Sequence, residues 1–340
     1  STLPATQSDQ DVSEEYPEVR SPDAQVPRLR NRVPMTDRDR PDALDADAYL
    51  DRIGVDVDSV PEPDYETLSR LQAAHVQHVP FENLAIVGHP HRADPTSDHD
   101  ASPGDDLATG VVLDIDALLE KIVERERGGY CFELNGLFHG LLAELGYEVD
   151  RVAARVVGRD GDARPPANHH ANVVHLHRPF VVDVGMGTPQ MRQPTPLDGT
   201  EVTDDAGITW RVVESDRVDA EYQTQYREPH ERDWHTRYVF DITPRSLSYF
   251  DATNDYLQTS PESPFTSGPT LSIATPDGYR KLDAATHTLV TFHDADDGTS
   301  PGPDAVGRDD LTRIEKRTRE RPIPPNDWDV VLESTFGIEL

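Results

Sequence analysis

The 340-residue chain has one cysteine, Cys131, set in Arg127-Gly128-Gly129-Tyr130-Cys131-Phe132-Glu133-Leu134-Asn135. A Gly-Gly pair lets the backbone turn tightly and approach a neighbour closely. An apolar helical pattern follows, so Cys131 falls in the first turn of a helix. Unpaired N–H groups and the helix dipole there favour a thiolate of lowered pKa. The same N–H groups suit the oxyanion of an acyl transfer. A small buried residue after a Gly-Gly turn accounts for the segment equally well. A thiolate nucleophile needs a base, and the base needs an orienting partner. Candidates stand in Asn168-His169-His170-Ala171-Asn172-Val173-Val174-His175-Leu176-His177 and in Phe180-Val181-Val182-Asp183-Val184-Gly185-Met186-Gly187. A hairpin of two strands would set one of these histidines beside Asp183, whose apolar flanks imply burial and a need for a partner. Period-2 alternation also puts His169, His175 and His177 on one strand face. With Asp183 to complete the ligand set, that face would begin a rival metal site.

The surrounding pattern predicts the elements that hold these groups. Asp45 or Asp47 caps a short helix carrying Tyr49, Leu50 and Ile53 and stopped by Gly54. A second helix over 64–78 ends at Pro80. Residues 89–109 read as an exposed loop, 111–113 as a short strand and 114–125 as a helix. The nucleophile helix spans 131–145, with Leu134, Leu137, Phe138, Leu141, Leu142 and Leu145 on one broad face and Gly146 as its stop. The period then switches to alternation: strands are predicted over 148–157, 171–176, 180–184, 209–213 and 238–242, a small barrel or sandwich. Beyond 251, strands near 270–273 and 288–292 precede a C-terminal helix. The order gives an α+β chain. Its expected parts are an acidic disordered tail (1–42), a helical part with the cysteine (43–146), a β-barrel with the histidine and aspartate (147–250) and an α/β lid (251–340).

Composition excludes several functions. Asp plus Glu number 64 against 32 Lys plus Arg, a formal charge of −32, and only three of the bases are lysine. Nucleic acid and anionic lipid both require a basic face. No run approaches the roughly 18 apolar residues of a membrane span. A lone cysteine leaves no internal disulfide and no Cys-rich zinc or iron–sulfur site. The acid excess, with Arg in place of Lys, fits a halophilic cytoplasmic protein whose surface repulsion is screened by salt.

The motifs together resemble the arylamine N-acetyltransferase family. Its signature Arg-Gly-Gly-x-Cys-x-Glu-x-Asn stands at Arg127–Asn135. Pro-Phe-Glu-Asn-Leu stands at Pro80–Leu84, and Asp-Val-Gly-Phe-Gly appears as Asp183-Val184-Gly185-Met186-Gly187. Weaker matches are Tyr49-Leu50-x-Arg52-Ile53-Gly54, the Asn254–Phe265 segment and Phe336-Gly337. The resemblance implies a cysteine-protease-like three-part fold: helical bundle, β-barrel and α/β lid. It also implies ping-pong transfer of acetyl from acetyl-coenzyme A, a co-substrate rather than a resident cofactor, to an arylamine, arylhydroxylamine or hydrazine. Cys131 is then the nucleophile and Asp183 the orienter. For the base, the family pattern fits His169, which has His175 on its own face and Val174 and Leu176 on the other. His170 would carry Val174 and Leu176 on its own face.

Met186, Gly187 and Thr188 are the expected coenzyme A contacts, and Phe81, Tyr130 and Met186 the expected acceptor wall. Met186 replaces the family's Phe there. Glu82, Arg127, Glu133 and Asn135 are expected to form a buried network that holds the Gly-Gly turn. A monomer or weak oligomer is expected, with no resident metal. The alternatives are an amide synthase or hydrolase using the same triad, or a metal-binding β-barrel built on His175 and His177.

Overall fold

The computed structural model describes residues 44–60, 62–92, 107–294 and 314–340. The expected tail over 1–42 and most of the expected loop over 89–109 lie outside these residues. Helix α1 (Ala46–Arg52) starts at Asp45, whose carboxylate accepts the Ala48 N–H at 2.9 Å. Helix α2 (Tyr65–His78) starts at Asp64 in the same way, through the Thr67 N–H at 2.8 Å, and ends before Pro80. Strand β1 (Phe81–Glu82), the short helix α3 (Leu84–Val87) and helix α4 (Ile115–Leu119) follow. A π-helical turn, Glu120–Glu124, continues α4.

The predicted strand over 111–113 is instead irregular. Side chains of helix α6 (Asp251–Thr259) take the strand partner's place. Gln258 accepts the Val111 N–H at 2.9 Å, and the Asn254 amide donates to the Val111 carbonyl at 3.0 Å.

Helix α5 (Cys131–Glu144) departs from its predicted one-faced pattern, because every side chain from Cys131 to Leu142 is buried. A helix apolar on all sides belongs inside a core. Here α1 and α4 lie against it along with strands β2 (Val149–Val156) and β3 (His169–His175). Leu134, Leu137, Phe138 and Leu141 join Tyr49, Leu68 and Phe250 in one cluster.

The barrel sheet is antiparallel throughout. Its remaining strands are β4 (Pro179–Val182), β5 (Thr195–Pro196), β6 (Val202–Thr203), β7 (Thr209–Glu214), β8 (Tyr222–Arg227) and β9 (His235–Pro244). Their order is β5-β4-β3-β2-β9-β8-β7-β6. The ends approach each other at β5 and β7, so the sheet curls into a nearly closed barrel. Val152, Val173, Trp210 and Phe240 fill it.

A second antiparallel sheet has the order β1-β10-β11-β12-β13. It comprises β10 (Leu271–Thr275), β11 (Gly278–Leu282), β12 (Thr286–Asp294) and β13 (Ile314–Pro322), with β1 as an edge. Helix α7 (Trp328–Phe336) covers it through Trp328 and Leu332. Helices, barrel and this α/β part make the mixed α+β fold that the motifs imply.

Candidate active site

The glycines before Cys131 are required by contact. A Cβ on Gly128 would lie 2.1 Å from the Pro80 carbonyl oxygen, and one on Gly129 would lie 2.8 Å from the Glu133 Cβ. Such overlaps cannot be relieved when the neighbour is backbone. The turn is also stitched to β1, because the Glu82 N–H donates to the Gly129 carbonyl at 2.8 Å.

Beneath it lies a buried charge network. Glu82 accepts from Arg127 at 2.8 Å and from the Leu84 N–H at 2.5 Å; Glu133 accepts from Lys121 at 2.7 Å and from the Tyr130 N–H at 3.0 Å. Arg52 supports the same region by donating to the carbonyls of Ile122 and His78, each at 3.0 Å. Burial alone would raise the Glu82 carboxyl, but Lys121, Arg127 and the Leu84 N–H hold it below its usual range. Burial dominates at Glu133 and leaves it raised. Glu82, Arg127 and Glu133 therefore hold the turn as expected.

Asn135 has a different task. One turn of helix beyond Cys131, its amide donates to Asp183 at 2.8 Å and to the His170 carbonyl at 2.6 Å. Its oxygen accepts the Val184 N–H at 2.9 Å. Asn135 thus fastens the barrel to α5 and does not bond the Gly-Gly turn. Its spacing of four from Cys131 was the available signal.

Gly185 makes the approach possible. A Cβ there would lie 2.7 Å from the Cys131 carbonyl oxygen and 2.8 Å from the Cys131 Cα. The chain leaving β4 can therefore rest against the first turn of α5. Asp183, fully buried, receives the His169 ring at Nε2 (2.7 Å), Asn135 and the Gly185 N–H at 2.9 Å. Burial alone would raise its carboxyl, but His169, Asn135 and the Gly185 N–H hold it below the usual carboxylate range. The Cys131 sulfur lies 3.9 Å from the carbonyl oxygen of Asn168, the residue before His169. Cys131, His169 and Asp183 are thus brought into one buried place.

His170 points to the other face of β3. Its ring stacks on Phe250 (5.1 Å between centroids) and Phe132 (6.5 Å). Burial, then Arg151, pushes its pKa well below the usual value. Of the two histidines, only His169 reaches Asp183.

The thiol corrects the sequence expectation of a lowered pKa. Burial pushes it up, the Asp183 charge adds to this, and the Phe132 N–H, which pulls the other way, does not offset them. The helix N-terminus alone does not ionise Cys131. Its proton must pass to a base in the same enclosure.

The rival metal face does not assemble. His169 and His175 sit six residues apart along β3, about 20 Å by strand geometry. His175 is spent on Asp150 at 2.8 Å, and His177 lies beyond the strand against Phe180. Among the described residues, Glu228, His230 and Glu231 approach one another, but Glu228 already accepts from Lys316 at 2.5 Å and from the Tyr279 hydroxyl at 3.2 Å.

The expected wall and coenzyme contacts divide. Tyr130 is fully enclosed, its hydroxyl donating to Asn254 and its ring packed on Phe132 and Phe265. It has no surface left to offer a substrate. Phe81, against Phe265, keeps a little. Met186 turns into the barrel core, while Gly187 and Thr188 stay half-buried, Gly187 facing Ser272 of β10. A hollow of about 230 Å³ lined by Gln77, His78, Ile273 and Arg280 shares no residue with this site.

Comparison with known proteins agrees with this geometry. Residues 64–340 match the model of a family described as N-acetyltransferase. The arylamine N-acetyltransferase of Mycolicibacterium smegmatis is 34% identical over 246 residues, 71% of this chain and 80% of that protein. The solved arylamine N-acetyltransferase of Mycobacterium abscessus superposes with a TM-score of 0.68 at 28% identity, covering 87% of this chain and 90% of its own. That of Mycobacterium marinum, solved in complex with CoA, gives 0.63 at 27% identity, with coverages of 86% and 93%.

Proposed function

The chain belongs to the arylamine N-acetyltransferase family, and we propose that it moves acetyl from acetyl-coenzyme A to an aromatic amine or hydrazine through Cys131, His169 and Asp183. The observation that carries this reading is the 2.7 Å hydrogen bond between His169 and a fully buried Asp183, beside the chain's lone cysteine. With Nε2 held by the carboxylate, Nδ1 is the nitrogen left for the thiol proton. The Asp183 charge, which opposes a bare thiolate, favours the imidazolium formed when that proton moves. Thiolate and imidazolium therefore arise together.

The thiolate adds to the thioester carbonyl. Collapse of the tetrahedral intermediate breaks the carbon–sulfur bond to coenzyme A, and His169 returns the proton to the departing thiol. In the second half, His169 takes a proton from the amine as the amine attacks the acetyl-cysteine, and Cys131 is released. The N–H groups at the first turn of α5 are the donors nearest the developing oxyanion. Gly187 and Thr188, between the barrel and β10, are the proposed coenzyme A contacts.

Among the described residues no helix is long and apolar enough to cross a membrane. The charge of −32 supports work in a salt-rich cytoplasm, where carboxylates at the surface are screened. A monomer or weak oligomer is the proposed state.

Cys131→Ser tests the reading. Acetyl transfer should fall at least a thousandfold, as expected when a nucleophile is lost, while circular dichroism and melting stay near wild type. Near-normal turnover in this variant would remove the proposal.

A further inference from the structure

Helix α7 covers only part of the second sheet, where Trp328 and Leu332 join Leu271, Ile273 and Leu282 of β10 and β11. The register sets Arg280 of β11 directly across from Ile273 on one side and from Leu289 on the other, and Leu289 across from Arg319. His287 lies across from Leu282 and, on its other side, from Arg321. Directly opposed residues share a face. Arg280, His287, Arg319 and Arg321 therefore stand on the face that α7 half covers, while Tyr279, Val290 and Phe292 fill the face against the barrel.

This basic strip lacks acids in a chain with twice as many acids as bases. Arg317, further along β13, pairs with Glu315 at 3.8 Å, but among the described residues no carboxylate pairs with Arg280, Arg319 or Arg321. Arg280 is half-buried, and its Nε, like the Nε2 of His287, is enclosed without a hydrogen-bond partner. The same Arg280 lines the hollow of about 230 Å³ that also meets α2 at Gln77 and α7 at Thr335. None of the eight residues around it is acidic. Gln77 and Thr335 add polar groups, and Ile273, Ala274 and Pro276 form an apolar wall. The His78 carbonyl at the end of α2, which would repel an anion, is already occupied by Arg52 at 3.0 Å. An enclosed guanidinium without an acid, among like charges, invites an external anion.

We propose that this hollow binds a short aliphatic carboxylate, with its oxygens on the Arg280 guanidinium and its chain against Ile273, Ala274 and Pro276. A guanidinium meets a carboxylate through two parallel hydrogen bonds. A bare inorganic anion would leave the apolar wall unused. Drug-sized ligands fill roughly 300–1,000 Å³, so the smaller hollow suits a chain of a few carbons. The hollow shares no residue with the site of Cys131, His169 and Asp183, and the inference stands apart from the acetyl-transfer reading.

Isothermal titration of the full chain with pentanoate, at fixed ionic strength, should show one saturable site. The neutral pentanamide and inorganic phosphate, which has no chain, should each bind about tenfold more weakly or worse. Arg280→Gln should lower pentanoate affinity by about 10- to 100-fold, the worth of hydrogen bonds to a charged group, and Arg280→Lys should recover part of it. Gln77→Trp, which fills the hollow from α2, should abolish binding. Protein alkylated at Cys131 with iodoacetamide should bind as the unmodified protein does. No saturable binding up to about 10 mM would overturn the proposal. Equal affinity for pentanoate and pentanamide, phosphate bound as tightly as pentanoate, or an affinity unmoved by Arg280→Gln would also overturn it. Binding lost on alkylation would place the acid beside Cys131 and overturn it too. If Arg280→Gln does not fold, Gln77→Trp decides, and unchanged affinity in that variant contradicts the proposal.

Discussion

Two buried carboxylate sites lie on either side of the first turn of α5, and they are neutralised differently. Under the Gly-Gly turn, Glu82 and Glu133 meet the side chains of Arg127 and Lys121 in ion pairs. Across the turn, Asp183 meets an imidazole and two neutral N–H donors. The first arrangement ties the turn to its surroundings and serves as a clamp. In the second, the partner is an imidazole, the side chain that most often serves as general base and acid, so the same buried-carboxylate chemistry becomes a relay. The difference lies in the cation rather than the acid.

Asp183→Asn should break the relay while sparing the clamp. Loss of the carboxylate leaves the His169 tautomer unfixed, and kcat should fall about 10⁴-fold in a fold that still melts cooperatively. A loss under tenfold would show that the hydrogen bond is only structural. His169→Gln against His170→Gln sharpens the same point. The first should cost about 10²- to 10⁴-fold in rate. The second should cost about 1–2 kcal/mol of stability through the lost stack on Phe250, with kcat within tenfold. Equal rate losses would mean that the two rings are not distinguished.

The clamp makes the opposite prediction. Glu82→Gln leaves Arg127 short of its carboxylate and should cost about 3–5 kcal/mol in denaturant unfolding. The pH dependence of kcat/KM in the surviving enzyme should keep its wild-type shape. A shifted profile would show that the clamp shares the relay's protons.

The smallest effect is in the acid limb of stability. Glu82 and Asp183 have folded pKa values below their unfolded ones, so their stabilisation is present above the unfolded carboxylate pKa and is lost as pH falls through the folded values. Glu133, raised on folding, has the opposite sign: its stabilisation is complete below the unfolded pKa and fades as pH rises through the folded one. Glu82→Gln should therefore flatten the loss of stability on acidification, and Glu133→Gln should steepen it. Unfolding free energies across pH 3–6 would read both changes in slope relative to wild type, and changes of the same sign would contradict the assignment.

Much of this was legible in the sequence because short motifs record close contacts. Gly128, Gly129 and Gly185 are fixed by atoms that leave no room for a Cβ, and Asp45 and Asp64 announce their helices through caps. His169 was separable from His170 only once the family pattern was laid over the strand alternation, since alternation alone did not choose among the clustered histidines. The unread parts have physical reasons too. Strand β13, Ile-Glu-Lys-Arg-Thr-Arg-Glu-Arg-Pro, is an edge with one neighbour and mostly exposed side chains, so no apolar alternation marks it. Strand β8 carries three polar residues between its tyrosines and was missed in the same way. The apolar stretch over 111–113 read as a strand, but the Val111 backbone is satisfied by the Asn254 and Gln258 side chains, 143 and 147 residues away in the chain. The thiol's raised pKa could not be read from a helix start, since it depends on burial and on Asp183 arriving from the barrel.

Incubating the protein with acetyl-coenzyme A and no acceptor, then mapping modified peptides by mass spectrometry, tests the central claim most directly. The account predicts one acetyl group on Cys131, formed in wild type, lost on adding an aromatic amine and strongly reduced in Asp183→Asn. An unmodified Cys131 in protein that nevertheless turns over acceptor, or acetylation that is as rapid in Asp183→Asn as in wild type, would contradict it.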